Sequence, residues 1–98
     1  MPCEHCIKKT ERDDNEKKKL INRLSRIEGQ IRGIRAMVED DAYCVDILIQ
    51  SAAASSAFDA FNRELLRSHV HGCVARDIKA GNDEVIDELM DIISKLMR

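Results

Sequence analysis

The stretch LINRLSRIEGQIRGIRAMV, Leu20 to Val38, sets Leu20, Leu24, Ile27, Ile31, Ile34 and Val38 at spacings of four, three, four, three and four. Alternating steps of three and four return side chains to one face of an α-helix, whereas a strand needs steps of two. The stripe lasts nearly three heptads, which predicts a helix over roughly 14–39 packed along another helix. Asp13 or Asp14 supplies its N-cap oxygen, and the acidic run Glu39, Asp40, Asp41 ends it.

Outward from this helix, a second periodic segment begins near Tyr43 and runs without Gly or Pro to His71. Val45, Leu48, Ala52, Phe58, Phe61, Leu65 and Val70 supply its apolar positions, while Ser51 to Ala57 reads SAAASSA. Small side chains let two helix axes approach closely, which suits the centre of an antiparallel bundle. Gly72 is placed to kink this helix, which continues to about Ala80. Gly81 is then its C-terminal stop, and Asn82 or Asp83 caps the next helix. Val85, Ile86, Leu89, Met90, Ile93, Leu96 and Met97 mark a last helix over about 83–97. No stretch alternates with a period of two. The fold class is all-α, with three helices per chain.

Composition sets the outer limits. Ninety-eight residues hold one domain, and so short a chain buries little core alone, which points to oligomerisation. With 44% hydrophobic and 35% charged residues the chain is neither disordered nor collagen-like. One Tyr and two Phe are too few aromatics for a strand-rich sandwich. No apolar run approaches the ~20 residues of a membrane span, and the start MPCEHCIKK lacks a signal-peptide core. A cytoplasmic protein with no membrane partner is expected. Four cysteines in a reducing compartment then point to metal or redox chemistry before disulfides. The net charge of −2 conceals an asymmetry: residues 1–38 hold ten Lys/Arg against six Asp/Glu, residues 39–98 six against twelve. A basic half on an acidic chain is the pattern of a localised polyanion-binding face, though a merely solvated helix face carries the same residues.

The chemistry concentrates at Cys44, His69, His71 and Cys73. His69 and Cys73 are four apart, so on a helix they share one face and both reach one ion. Two thiolates and an imidazole are soft ligands, which favours Cu(I) or Zn(II) over Mg(II) or Ca(II). His71, two positions from His69, points elsewhere. Cys44 lies 25 residues before His69, or ~38 Å along one straight helix. The two cannot meet at one ion within that helix. In an antiparallel dimer, however, Cys44 of one chain lies near His69 and Cys73 of the other, and two-fold symmetry gives two identical sites.

The run LINRLSRIEGQIRGIRAMVEDDAYCVDIL, followed by FNRELLRSHVHGC and VIDELMD, resembles the copper-sensitive operon repressor (CsoR) family of bacterial transcriptional regulators. The resemblance covers about residues 16–97. It implies three-helix chains that form antiparallel dimers around a four-helix-bundle core, and dimers of those dimers, binding operator DNA without a helix-turn-helix. The copper sensors' Cys, His and Cys ligands fall on Cys44, His69 and Cys73, and their flanking Tyr and Glu on Tyr43 and Glu88. A Tyr hydroxyl or a carboxylate on the second imidazole nitrogen would fix the ring. Nickel- and cobalt-sensing relatives use more His, and persulfide-sensing relatives lack this His, so the resemblance selects Cu(I). It also places operator contacts at Arg23 and Arg63, to which Lys18, Lys19 and Arg26 add phosphate contacts. One departure is IQSAAASSAF, which replaces the bulkier aliphatic pattern usual after the first ligand.

Residues 1–12 show no apolar period and form an arm ahead of a helical DNA- and metal-binding domain, 13–98. The arm carries Cys3-x-x-Cys6 with His5, an accessory metal or redox pair without a second pair at zinc-ribbon spacing. The expected function is a Cu(I)-responsive repressor that holds operator DNA in the apo state and releases it on Cu(I) binding. A persulfide-sensing repressor using Cys44 and Cys73 is the nearest alternative, and a copper store or carrier without DNA another. The basic first helix opposes the carrier, and His69 and Tyr43 oppose the sulfur sensor. No nucleophile, base and orienting group assemble in the sequence, so neither an enzyme nor a small-molecule substrate is expected.

Overall fold

The structure, a computed structural model, describes residues 12–97. These form α1 (Asp14–Glu39), α2 (Cys44–His69), a π-helical turn (Val70–Val74), α3 (Ala75–Lys79) and α4 (Glu84–Leu96). Because α2, the π turn and α3 follow without a non-helical residue, the chain has three helical runs and no strand among the described residues. The first and last helices match the spans that periodicity predicts to within a residue. The second differs: around Gly72 the backbone takes an extra residue into one turn, so that the Ala75 N–H bonds to the Val70 carbonyl. Such π turns are found mostly as single-turn insertions within α-helices.

Local chemistry explains the boundaries. Asp13, extended at φ −71° and ψ 163°, accepts from the Glu16 N–H at 2.7 Å through its Oδ1. That satisfies one of the first-turn donors, and the acids Asp14 and Glu16 sit where the helix dipole favours them. At the other end of α1 the chain closes a Schellman motif. The Ala42 N–H reaches the Met37 carbonyl at 2.9 Å, the Asp41 N–H reaches that of Val38 at 3.2 Å, and Asp41 is left-handed at φ 55°. Gly81, at φ 84°, plays the same part after α3, with Asn82 N–H to Asp77 O at 2.8 Å and Gly81 N–H to Ile78 O at 3.0 Å. Asp83 does occupy the cap position of α4, but its side chain makes no capping bond. Its backbone is already in the helical region, and its carbonyl, not its carboxylate, takes the Ile86 N–H.

The two stops differ in cost, because a Cβ in the left-handed region costs roughly 1–2 kcal/mol, less for Asp and nothing for Gly. Gly81→Ala is therefore expected to lower unfolding stability by about 1 kcal/mol, and Asp41→Gly to raise it by a few tenths to about 1 kcal/mol. Urea melts at one fixed protein concentration check both signs.

The helices divide into two compact units, one ending at Leu65 and the other beginning at Leu66. In the first, α1 buries Leu20 and Ile27 and half-buries Ile34, a single row at heptad spacing. The companion row does not close: Leu24, Ile31 and Val38 remain exposed, Ile31 by 57%. On α2, Ala54 is the one buried member of the small-residue stretch, and Val45, Leu48 and Ile49 stay open, Leu48 by 65%. The stripe that predicts packing along a helix thus has one of its two rows covered within the described chain. In the second unit, Val74 in the π turn and Val85 on α4 are the buried side chains.

Candidate functional site

The first unit carries Tyr43 and Cys44. Cys44 opens α2 as an exposed free thiol, and Tyr43 immediately before it is 70% exposed. The Tyr43 carbonyl closes the first turn of α2 by accepting from the Asp46 and Ile47 N–H groups at 3.0 and 3.2 Å. This ties the backbone beside Cys44 while both side chains face solvent.

The second unit carries the other candidates. His69 is the last residue of α2 and half-buried; Cys73, a half-buried thiol, lies inside the π turn. A π turn winds more residues per turn than an α-helix. A four-residue step therefore stops just short of a full turn rather than just past it. Either way His69 and Cys73 lie on one side, and the exposed His71 lies across from them. Glu88 is half-buried on α4. A Cβ built on Gly72 meets nothing within 4 Å, so neither space nor a left-handed backbone demands glycine there. The π turn itself is what sequence reading missed. Gly72 marked the place, but an inserted residue leaves no mark in hydrophobic periodicity.

Cys44 and His69 are the two ends of one 26-residue α-helix, ~38 Å apart by helical rise. Among the described residues of one chain, no three His, Cys, Asp or Glu side chains stand close enough to hold a metal ion. The donor types nevertheless fit a soft cation: two thiols, and one imidazole with its second nitrogen available to a Tyr or a carboxylate. Cys3, His5 and Cys6 lie outside the described residues.

The basic candidates are all on the surface. Lys18, Lys19, Arg23 and Arg26 are exposed on α1, and Arg63 is exposed on α2. Lys19, Arg23 and Arg26 follow the i, i+4, i+7 step and form one row. One nearby cation is diverted: Arg35 Nε donates to Glu39 Oε1 at 2.9 Å, an exposed pair that contributes a few tenths of a kcal/mol. No helix of the described residues is long and apolar enough to cross a membrane.

Comparison with known proteins gives a consistent set. A family model described as metal-sensitive transcriptional repressor matches residues 16–95. The copper-sensing transcriptional repressor CsoR of Bacillus subtilis (strain 168) is 48% identical over 88 residues, 89% of this chain and 87% of that protein. The copper-sensing transcriptional repressor RicR of Mycobacterium tuberculosis is 39% identical over 92 residues, 91% of this chain and 92% of that one. Among solved structures, the copper-sensing repressor CsoR with Cu(I) from Geobacillus thermodenitrificans NG80-2 superposes with a TM-score of 0.87 at 41% identity, covering 92% of this chain and 95% of that one. The nickel-responsive transcriptional regulator InrS gives 0.69 at 37% identity, covering 92% and 98%.

Proposed function

The chain belongs to the metal-sensitive transcriptional repressor family, and from that premise we propose that it represses transcription in response to Cu(I). The protein holds operator DNA when copper-free and releases it when Cu(I) binds, derepressing copper-resistance genes. The observation that carries this reading is the placement of His69 and Cys73 on one side of the helical run, with a second exposed thiol at Cys44. A sulfur sensor needs only the two cysteines. An imidazole beside Cys73 adds a third soft donor, which a Cu(I) centre uses and a bridge between two cysteines does not require. A copper carrier, in turn, has no need of the exposed basic row on α1.

The ligand set is completed between chains. Cys44 of one protomer joins His69 and Cys73 of its partner in an antiparallel homodimer, which pairs again into a homotetramer. The separation of Cys44 from His69 along α2 supports this, as do the uncovered apolar residues Leu24, Ile31, Val38, Val45, Leu48 and Ile49. A second copy is the natural cover for such rows, since small domains compensate for a thin core by association. Tyr43 and Glu88 hold the second nitrogen of His69 and read its ligation. Residues 13–98 supply the DNA- and metal-binding domain, with 1–12 as an arm ahead of it, at work in the cytoplasm where the operator is.

When bound, Cu(I) supplies a soft centre that draws the two thiolates and the imidazole together. Release of DNA then follows from linkage: Cu(I) binds the free protein more tightly than the DNA complex, and DNA weakens Cu(I) by the same factor. Couplings of this kind run about 1–3 kcal/mol, or roughly 5–150-fold in affinity.

Operator titration of the reduced protein, alone and with Cu(I), Zn(II), Ni(II) or a persulfide donor, tests the reading. Cu(I) is expected to weaken operator binding by a factor in that ~5–150-fold range, the other additions far less. His69→Ala keeps two thiolates and still takes up Cu(I), but loses most of the release; full release by this variant removes His69 from the relay. Replacing Arg23 and Arg63 by Ala is expected to flatten the log K versus log salt slope by roughly 0.9 for each phosphate that a chain no longer neutralises. An unchanged slope would mean that this row does not touch DNA.

A further inference from the structure

Between Lys17 and Arg35, α1 holds five cations and a single acid, Glu28. At about 100° per residue, Lys18, Asn22, Arg26, Lys19, Gln30 and Arg23 follow one another around an arc of about 140°. All six are exposed, and Glu28 stands about 150° from the middle of that arc. Each amide thus lies between two cations, Asn22 between Lys18 and Arg26, Gln30 between Lys19 and Arg23. Neither amide has a hydrogen-bond partner among the described residues. From this arrangement we propose that α1 lies in the major groove of operator DNA, where Asn22 and Gln30 read adenine edges while the cations hold the phosphates. The proposal rests on the repressor reading and adds to it the residues that choose the sequence.

A face that merely meets water does not call for this composition. Solvated helix faces mix both signs and pair them, as Arg35 and Glu39 do in the last turn of α1. Asn is also among the weaker helix formers, and Gly29 and Gly33, on the same arc, are weaker still. A Cβ on Gly33 would meet nothing within 4 Å, so packing within the chain does not ask for glycine there. Bare backbone beside Gln30 instead lowers the face where it enters a groove. The dimensions agree, since a helix about 10–12 Å across fits a major groove about 12 Å wide. There an Asn or Gln amide donates to N7 of adenine and accepts from its N6 amino group, whereas guanine presents two acceptors. Asn22 and Gln30 are ~12 Å apart by helical rise. At about 3.4 Å per base step, they reach adenines roughly three or four steps apart.

The test selects duplexes from a randomised pool with copper-free, reduced, full-length protein, then replaces each adenine of the enriched site by 7-deazaadenine. That base keeps Watson–Crick pairing but carries a C–H in place of N7. The unsubstituted protein is expected to lose about 5- to 150-fold in affinity when an adenine that it reads is replaced. Asn22→Ala and Gln30→Ala should each bind the enriched site more weakly by a similar factor, and each should be indifferent to the replacement at its own adenine. Ala is the best helix former, so helical content should not fall. Neither amide carries charge, so the slope of log K against log salt should not change. Arg26→Ala should flatten that slope while preserving base preference. If both amide variants keep the unsubstituted protein's sensitivity to 7-deazaadenine, or if that protein has none, the amides do not read adenine, and the repressor reading still stands. If no sequence is enriched at all, the repressor reading fails and this proposal with it.

Discussion

Mixing Cys44→Ser protein with Cys73→Ser protein is expected to restore the copper-dependent operator release that neither shows alone. Each variant by itself lacks a thiolate in both sites of its dimer. Removing a residue that merely orients a metal ligand already weakens binding 10–100-fold, so losing a ligand is expected to cost at least ~100-fold in Cu(I) affinity. In the mixed dimer the defects fall unevenly. The Cys44→Ser chain still offers His69 and Cys73, and the Cys73→Ser chain still offers Cys44, so one of the two sites is whole and the other lacks both thiolates. Random exchange places about half of the dimers in this mixed state by two-fold symmetry. Sites closed within one chain would behave otherwise, because every chain in the mixture carries a defect. Operator release by the co-expressed pair therefore distinguishes the intersubunit centre from any intrachain one, and its absence would rule the intersubunit centre out.

The second large effect concerns assembly. Leu48→Glu is expected to convert the proposed dimer to monomers and to abolish operator binding with it. Leu48 is 65% exposed in the single chain, so the carboxylate costs the isolated fold little. In the dimer it would be buried without a partner, at a few kcal/mol per copy, and symmetry places two copies in each interface. Together they weaken association on the order of 10³-fold or more. Sedimentation at micromolar concentration should show the monomer, with helical content by circular dichroism unchanged. Ile31→Glu on α1 makes the same test from the other exposed row. Dimers persisting in both variants would show that these faces stay open in solution.

Much of this was legible in the residues. The steps from Leu20 to Val38 determined α1, because helical periodicity is a property of neighbouring residues and needs no knowledge of what lies across from them. The Asp13 cap and the Gly81 stop were equally local, since one depends on a side-chain oxygen three residues from its donor and the other on the absence of a Cβ. That His69 and Cys73 share one side of the helical run was legible for the same reason, and it survives the π turn because a four-residue step stays on one side in either winding. What periodicity could not decide was which apolar row is used. Leu20 and Ile27 are buried while Ile31 and Val38, in the same stripe, are open. The difference lies in what stands opposite each row, which is a tertiary fact. The inserted residue around Gly72 and the backbone capping of α4 at Asp83 likewise came only from the folded chain. Each sets hydrogen-bond register by small differences in energy that side-chain identity does not fix.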